Sequence, residues 1–131
     1  MIAALLLIQA VDPEPSYQAV ETTIAAVHAH PDPYVGKLIR LRGWINRCAT
    51  LSCRIDEKRS PDMADRGDSL SIADSEMFDH LVRDKTPVRV VVDAEFNPVC
   101  LKDEVCLDRA PQLGVVRAAL DPTGDTLPTR D

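Results

Sequence analysis

Four cysteines and a run of arginines around one tryptophan are the residues of this 131-residue chain best equipped for chemistry. The cysteines form two close pairs, Cys48 with Cys53 and Cys100 with Cys106. An even count at short spacing in a small chain reads as a disulfide framework. Four cysteines allow three connectivities. The local one, Cys48–Cys53 with Cys100–Cys106, closes the shortest loops and would add about 2 kcal/mol per bond. The rival is a four-cysteine zinc site. Structural zinc sites favour tighter C-x2-C knuckles, whereas four and five residues separate the partners here.

The basic residues are concentrated. Residues 37–59 hold Lys37, Arg40, Arg42, Arg47, Arg54, Lys58 and Arg59 against only Asp56 and Glu57, in a chain of net charge −6. Such segregation can build one basic face on an acidic protein and steer an anionic ligand. Trp44 alternates with Arg40 and Arg42 on one strand face, the equipment of a stacking platform for bases or sugars. Arg40, Arg42, Trp44, Arg47 and Arg54 are therefore the candidate ligand-binding residues. The competing reading is an ordinary polar outer strand face, with Trp44 covering the end of a barrel. The acidic total disfavours a general nucleic-acid binder, because phosphate neutralisation supplies most non-specific affinity.

Other constellations point to no activity. Arg66-Gly67-Asp68 spells an adhesion tripeptide, but Gly beside Asp is ordinary turn chemistry. Asp62, Asp65 and Asp68 lack the alternating spacing and distal Glu of a calcium loop. His28 and His30 close the first helical segment, where cations favour the dipole. His80 stands beside Asp79, and adjacent helix residues do not face each other. No Gly-flanked nucleophilic Ser, P-loop or H-E-x-x-H is present. No catalytic residue, metal ligand or cofactor is assigned, and the chain is expected not to be an enzyme.

The elements that must position these residues follow from periodicity. Val20, Ile24 and Val27 recur at helical spacing, which predicts a helix over 16–29 with Ser16 as N-cap. Residues 37–48 alternate, with Ile39, Leu41, Gly43 and Ile45 inward and Arg40, Arg42, Trp44 and Asn46 outward. Gly43 in mid-strand suggests the bend that barrel closure requires. A loop over 49–52 would lead to a returning strand at 53–56, and the Cys48–Cys53 bond would pin that hairpin's register. A polar loop over 57–68 and a short strand at 69–73 follow. A second helix over 74–84 would bury Met77, Phe78, Leu81 and Val82. Residues 87–96 read as the clearest strand, with Val88, Val90, Val92, Ala94 and Phe96 inward and Arg89, Asp93 and Glu95 outward. A long loop over 97–111 carries the second cysteine pair, and 113–120 is the last strand.

Three meandering strands, a helix, then two more strands is the order of the OB fold, a five-stranded partly open barrel. The run Tyr34-Val35-Gly36-Lys37-Leu38-Ile39-Arg40-Leu41-Arg42-Gly43-Trp44-Ile45 resembles the "Y-x-G-K-x-V-x-V-x-G-x-V" opening of small bacterial OB domains. Those include anticodon-binding-type modules and exported OB-type proteins. The cysteine pairs, with Cys106-Leu107-Asp108-Arg109-Ala110-Pro111, resemble uncharacterised small exported proteins of Gram-negative bacteria. The resemblance implies an α+β, mainly β, OB-type barrel preceded by an N-terminal helix, a single domain over 16–120. It supplies no catalytic residues, and fold alone does not imply function.

Residues 1–10 are apolar and end in alanine, like the core of a secretory signal, although a basic n-region is missing. The competing reading is a first strand or short buried helix. Residues 121–131 are polar, with two prolines and a glycine, and are expected to be a mobile tail. No apolar run approaches the roughly 20 residues of a membrane span. The expectation is a non-catalytic periplasmic or secreted binding module. Its first hairpin would meet an anionic oligomer, a glycan or an envelope protein. The alternative is a structural or assembly accessory of the cell envelope without a small ligand. Oligomeric state does not follow from the sequence.

Overall fold

The computed structural model describes residues 18–49, 52–101 and 111–122. The N-terminal segment 1–10, Ser16, Cys106 and the tail beyond 122 lie outside the described residues.

The strands are β1 (Val20–Glu21), β2 (Leu38–Ile45), β3 (Cys48–Ala49), β4 (Ser52–Asp56), β5 (Ser69–Ile72), β6 (Val88–Phe96) and β7 (Leu113–Leu120). Helix α1 spans Ile24–Ala29 and α2 spans Glu76–Val82. Five strands close in the order β2–β6–β7–β5–β4 and back to β2. All pairings round this ring are antiparallel except β5–β7, which is parallel at Ile72↔Leu113. With α2 between the third and fourth strands of the ring, this is the OB-type α+β barrel.

Alternation builds the core as expected. Ile39, Leu41 and Ile45 of β2 and Val90, Val92 and Ala94 of β6 lie inside with Ile55, Leu70 and Leu113, each fully buried. The β-branched run of β6 suits a pleated surface packed on one side. Ile24 and Val27 of α1, and Phe78 and Val82 of α2, join the same cluster.

Several expectations are corrected. The first helix begins at Ile24, not Ser16, with Thr23 as its N-cap, its Oγ1 accepting from the Ala26 N–H at 3.0 Å. Val20 and Glu21 instead pair parallel with Ile39 and Arg40 of β2. Val20 stands four residues before Ile24 and so fits both periods; the available edge of β2 decides for strand. Strand β2 stops at Ile45, and Asn46, expected outside, is buried among hydrogen bonds to the following loop. Met77, expected inside, is exposed, and Leu81 is only partly buried against the core. Asp93 faces outward in register, yet is buried, because arginines from both neighbouring strands lie over it.

The hairpin disulfide is present. Cys48 and Cys53 are direct partners in the β3–β4 register, bonded with a Cα–Cα distance of 4.4 Å. Cys100 is also disulfide-bonded, and its expected partner Cys106 lies outside the described residues.

Candidate functional site: an arginine-rimmed face on β2, β6 and β7

Strand register sets out a grid on the outer face of the barrel. One row runs Arg40 on β2, Asp93 on β6, Arg117 on β7. The next runs Arg42, Val91, Ala119. A third pairs Trp44 with Arg89, and Asp121, just past β7, donates its backbone N–H to the Arg89 carbonyl at 2.9 Å.

Each arginine is placed by a carboxylate beneath it. Arg40 grips Asp93 with both ends, Nε to Oδ1 at 2.7 Å and Nη2 to Oδ2 at 2.9 Å. From the other side Arg117 donates Nε to Oδ2 at 3.0 Å, with its Nη2 at 2.8 Å. Asp121 Oδ2 stands 3.7 Å from Arg89 Nε and 3.8 Å from Arg42 Nε. At the rim, Arg42 Nη1 donates to Glu21 Oε2 at 2.6 Å.

The layering is unequal. Side chains of Arg40, Arg42 and Arg117 are 41, 42 and 48% exposed, whereas those of Asp93 and Asp121 are 4 and 9% exposed. Arg40, Arg42 and Arg117 therefore lie over Asp93 and Asp121, while the exposed Glu21 stands beside Arg42 in the outer layer. Hydrogen bonding from Arg40 is the main cause that holds the Asp93 carboxyl below the usual carboxylate range, with Arg117 adding to it and burial opposing. The same pairing raises the Arg40 guanidinium. Between the arginines lies an open concavity of about 380 Å³ with Val91, Ala118 and Ala119 among its lining residues.

Of the sequence-derived candidates, Arg40 and Arg42 share this concavity. Trp44 lies one row further, half-buried, with the Arg59 guanidinium 5.8 Å from its ring centroid, within cation–π range. Arg47 is exposed just past β2. Arg54 is set apart on β4, donating from Nε to Ser69 Oγ at 2.9 Å. Burial, then the nearby Arg66 charge, lowers its pKa.

Asp93, Arg89, Arg117 and Asp121 were missed as site residues. Only the β2–β6–β7 register brings them together, and no local pattern encodes it.

Several of the other polar groups singled out in the sequence have local partners. His28 Nε2 is 2.7 Å from the Ser69 carbonyl, so that nitrogen carries the donating proton. Asp62 accepts from Ser60 Oγ and the Ala64 N–H, and Asp65 from the Gly67 N–H. The Asp68 N–H donates to Glu57 Oε1 at 2.8 Å. These bonds account for the acidic loop and the Arg66-Gly67-Asp68 tripeptide as turn structure. Among the described residues no three His, Cys, Asp or Glu side chains are grouped to hold a metal, and no helix is long and apolar enough to cross a membrane.

The chain is similar to a crystal structure described as an aspartyl-tRNA synthetase from Leishmania major Friedlin. The identity is 15% and the TM-score 0.46, over 89% of this chain and 23% of that one. No family model and no curated protein matches the chain.

Proposed function

We propose that the chain is a non-catalytic binding module that meets an anionic partner on the outer face of β2, β6 and β7. The carrying observation is the layering of half-exposed Arg40, Arg42 and Arg117 over buried Asp93 and Asp121. Carboxylates beneath the guanidinium groups restrict these side chains in advance, so less side-chain freedom is lost when an anion docks. The apolar patch of Val91 and Ala119 suits a partner whose charges are spaced by apolar atoms. Trp44 extends the same face. The Cys48–Cys53 bond supports a periplasmic or secreted setting, where disulfides persist.

The test is a titration of the isotope-labelled protein with hexaglutamate and with inorganic polyphosphate. The expected result is salt-suppressed resonance shifts at Val91, Ala119 and the guanidinium Nε groups of Arg42 and Arg117. The double change Arg42→Ser with Arg117→Ser, which keeps the Arg40–Asp93 pair, should abolish them. Shifts scattered over the surface, or unchanged in the double variant, would overturn the reading.

A further inference from the structure

Asp56 ends β4 where the barrel closes, opposite Trp44 of β2 on one side and Ser69 of β5 on the other. Residues 57–68 form the loop between β4 and β5. The two arms of that loop are laced next to Asp56. The Glu57 N–H donates to the Asp68 carbonyl at 3.0 Å, and the Lys58 N–H to the Arg66 carbonyl at 3.1 Å.

The two oxygens of the Asp56 carboxyl group differ. Oδ2 accepts from Asn46 Nδ2 at 2.9 Å. Oδ1 is sealed from solvent and accepts no hydrogen bond. Arg66 Nη1 stands 3.9 Å from Oδ1, an ion pair too long for a hydrogen bond. The groups around this carboxyl are Arg66 of the loop, Arg54 of its own strand and Asn46 just past β2. None of them changes charge between acid and neutral pH. Glu57 and Lys58, the next two residues, turn to the Asp68 N–H and to Asp65. On β5, the carbonyl of the facing Ser69 is 2.7 Å from His28 Nε2 of α1.

A buried acceptor without a donor is costly, and more so when it carries charge. Protonation of Asp56 removes the charge, whereas ionisation leaves Oδ1 in need of a partner. Water reaches that oxygen when the laced arms part. We propose that residues 57–68 are a pH-responsive flap over the barrel seam: ionised Asp56 favours an opened form in which water reaches Oδ1, and protonated Asp56 favours the closed one. Burial is the main cause that pushes this carboxyl up, against the Asn46 hydrogen bond and the charges of Arg66 and Arg54. The closed form therefore binds the proton more tightly than a hydrated carboxyl does. Closure is complete in acid and weakens as pH rises through the native value. The inference is independent of the anion-binding reading, since Asp56 and Arg66 are not part of the β2–β6–β7 face.

The experiment follows two signals in the full chain from acid to neutral pH. One is the side-chain carboxyl carbon resonance of Asp56. The other is the protection of the Glu57 and Lys58 amides against hydrogen exchange, corrected for the intrinsic rate at each pH. The carboxyl should titrate above the ordinary aspartate range. Over that titration protection should fall, by about tenfold for each pH unit separating the native from the hydrated carboxyl, while β6 amides keep theirs. Asp56→Asn, which retains an acceptor for Asn46, should make loop protection independent of pH. The same fall in Asp56→Asn would assign the effect to His28 or the loop acids and overturn the proposal. Protection that rises on ionisation would mean that Arg66 closes onto Oδ1, and would overturn it too. So would protection that ignores the Asp56 titration, a result read in the parent protein whether or not the variant folds.

Discussion

Gly43 of β2 meets the backbone carbonyl of Asp56 where the barrel closes: a Cβ on Gly43 would stand 2.7 Å from that oxygen and 2.8 Å from Ile55 Cγ1. The neighbouring pair Trp44↔Asp56 is the one register contact between β2 and β4. Gly43→Ala therefore forces apart the seam that makes a sheet into a barrel. Overpacking of this kind costs about 1–3 kcal/mol. Urea unfolding should show the loss as a lower midpoint; an unchanged midpoint would mean that the seam yields freely.

Asp93 and Asp56 are both buried, and their carboxyl groups are displaced in opposite directions. Asp93 is held low, first by the Arg40 hydrogen bond. Asp56 is pushed up by burial, against its hydrogen bond with Asn46 and the charges of Arg66 and Arg54. A depressed carboxyl stabilises the fold above its unfolded pKa of about 3.9 and loses that contribution as pH falls through its native value. A raised carboxyl does the reverse: stability falls as pH rises from about 3.9 through the native value. Asp93→Asn should thus cost about 1–3 kcal/mol at neutral pH, with the deficit shrinking in acid. Asp56→Asn should cost less at neutral pH and flatten the decline on leaving acid. Urea midpoints from acid to neutral pH check both, and parallel profiles for the two variants would contradict the opposed shifts.

The same two aspartates show what was legible in the sequence. Alternation placed Ile39, Leu41, Val90 and Val92 inside because burial on one strand face needs only a period of two. The order of elements gave the barrel topology, since short connections leave few ways to pair five strands. Alternation cannot say what covers an outward residue. Asp93 is buried by Arg40 and Arg117 from two other strands, and Asp56 by the loop that follows it. The site was half visible for that reason. Arg40 and Arg42 lie on one strand, whereas Arg117 joins them through a β6–β7 register that shifts between Asp93 and Ala94. No single segment records that shift.

The Cys48–Cys53 bond closes a short loop at the end of the first hairpin. Its constraint acts mainly on the unfolded chain, at about 2 kcal/mol for so small a ring. The paired change Cys48→Ser with Cys53→Ser should lower the unfolding free energy by that amount, read as a lower urea midpoint. Coincident unfolding curves for the parent and the double variant would show that the β3–β4 register is held without it.

Asn46 ties the end of β2 to the segment after β4. Its Nδ2 donates to Asp56 Oδ2 at 2.9 Å and to the Lys58 carbonyl at 2.8 Å, while its Oδ1 accepts the Ser60 N–H at 2.6 Å. Asn46→Ala leaves these buried partners unmatched, at about 1–3 kcal/mol for each group left unsatisfied. Asn46→Asp keeps the shape and the Ser60 bond. It removes both donors and sets a second carboxylate against Asp56, so at neutral pH it should be the more damaging change. Protonation relieves that repulsion, so the gap between the two variants should narrow as pH falls. Amide exchange at Ser60 and urea midpoints at two pH values read the local and global effects. An Asn46→Asp protein as stable as the parent at neutral pH would show that this network does not hold residues 57–60 in place.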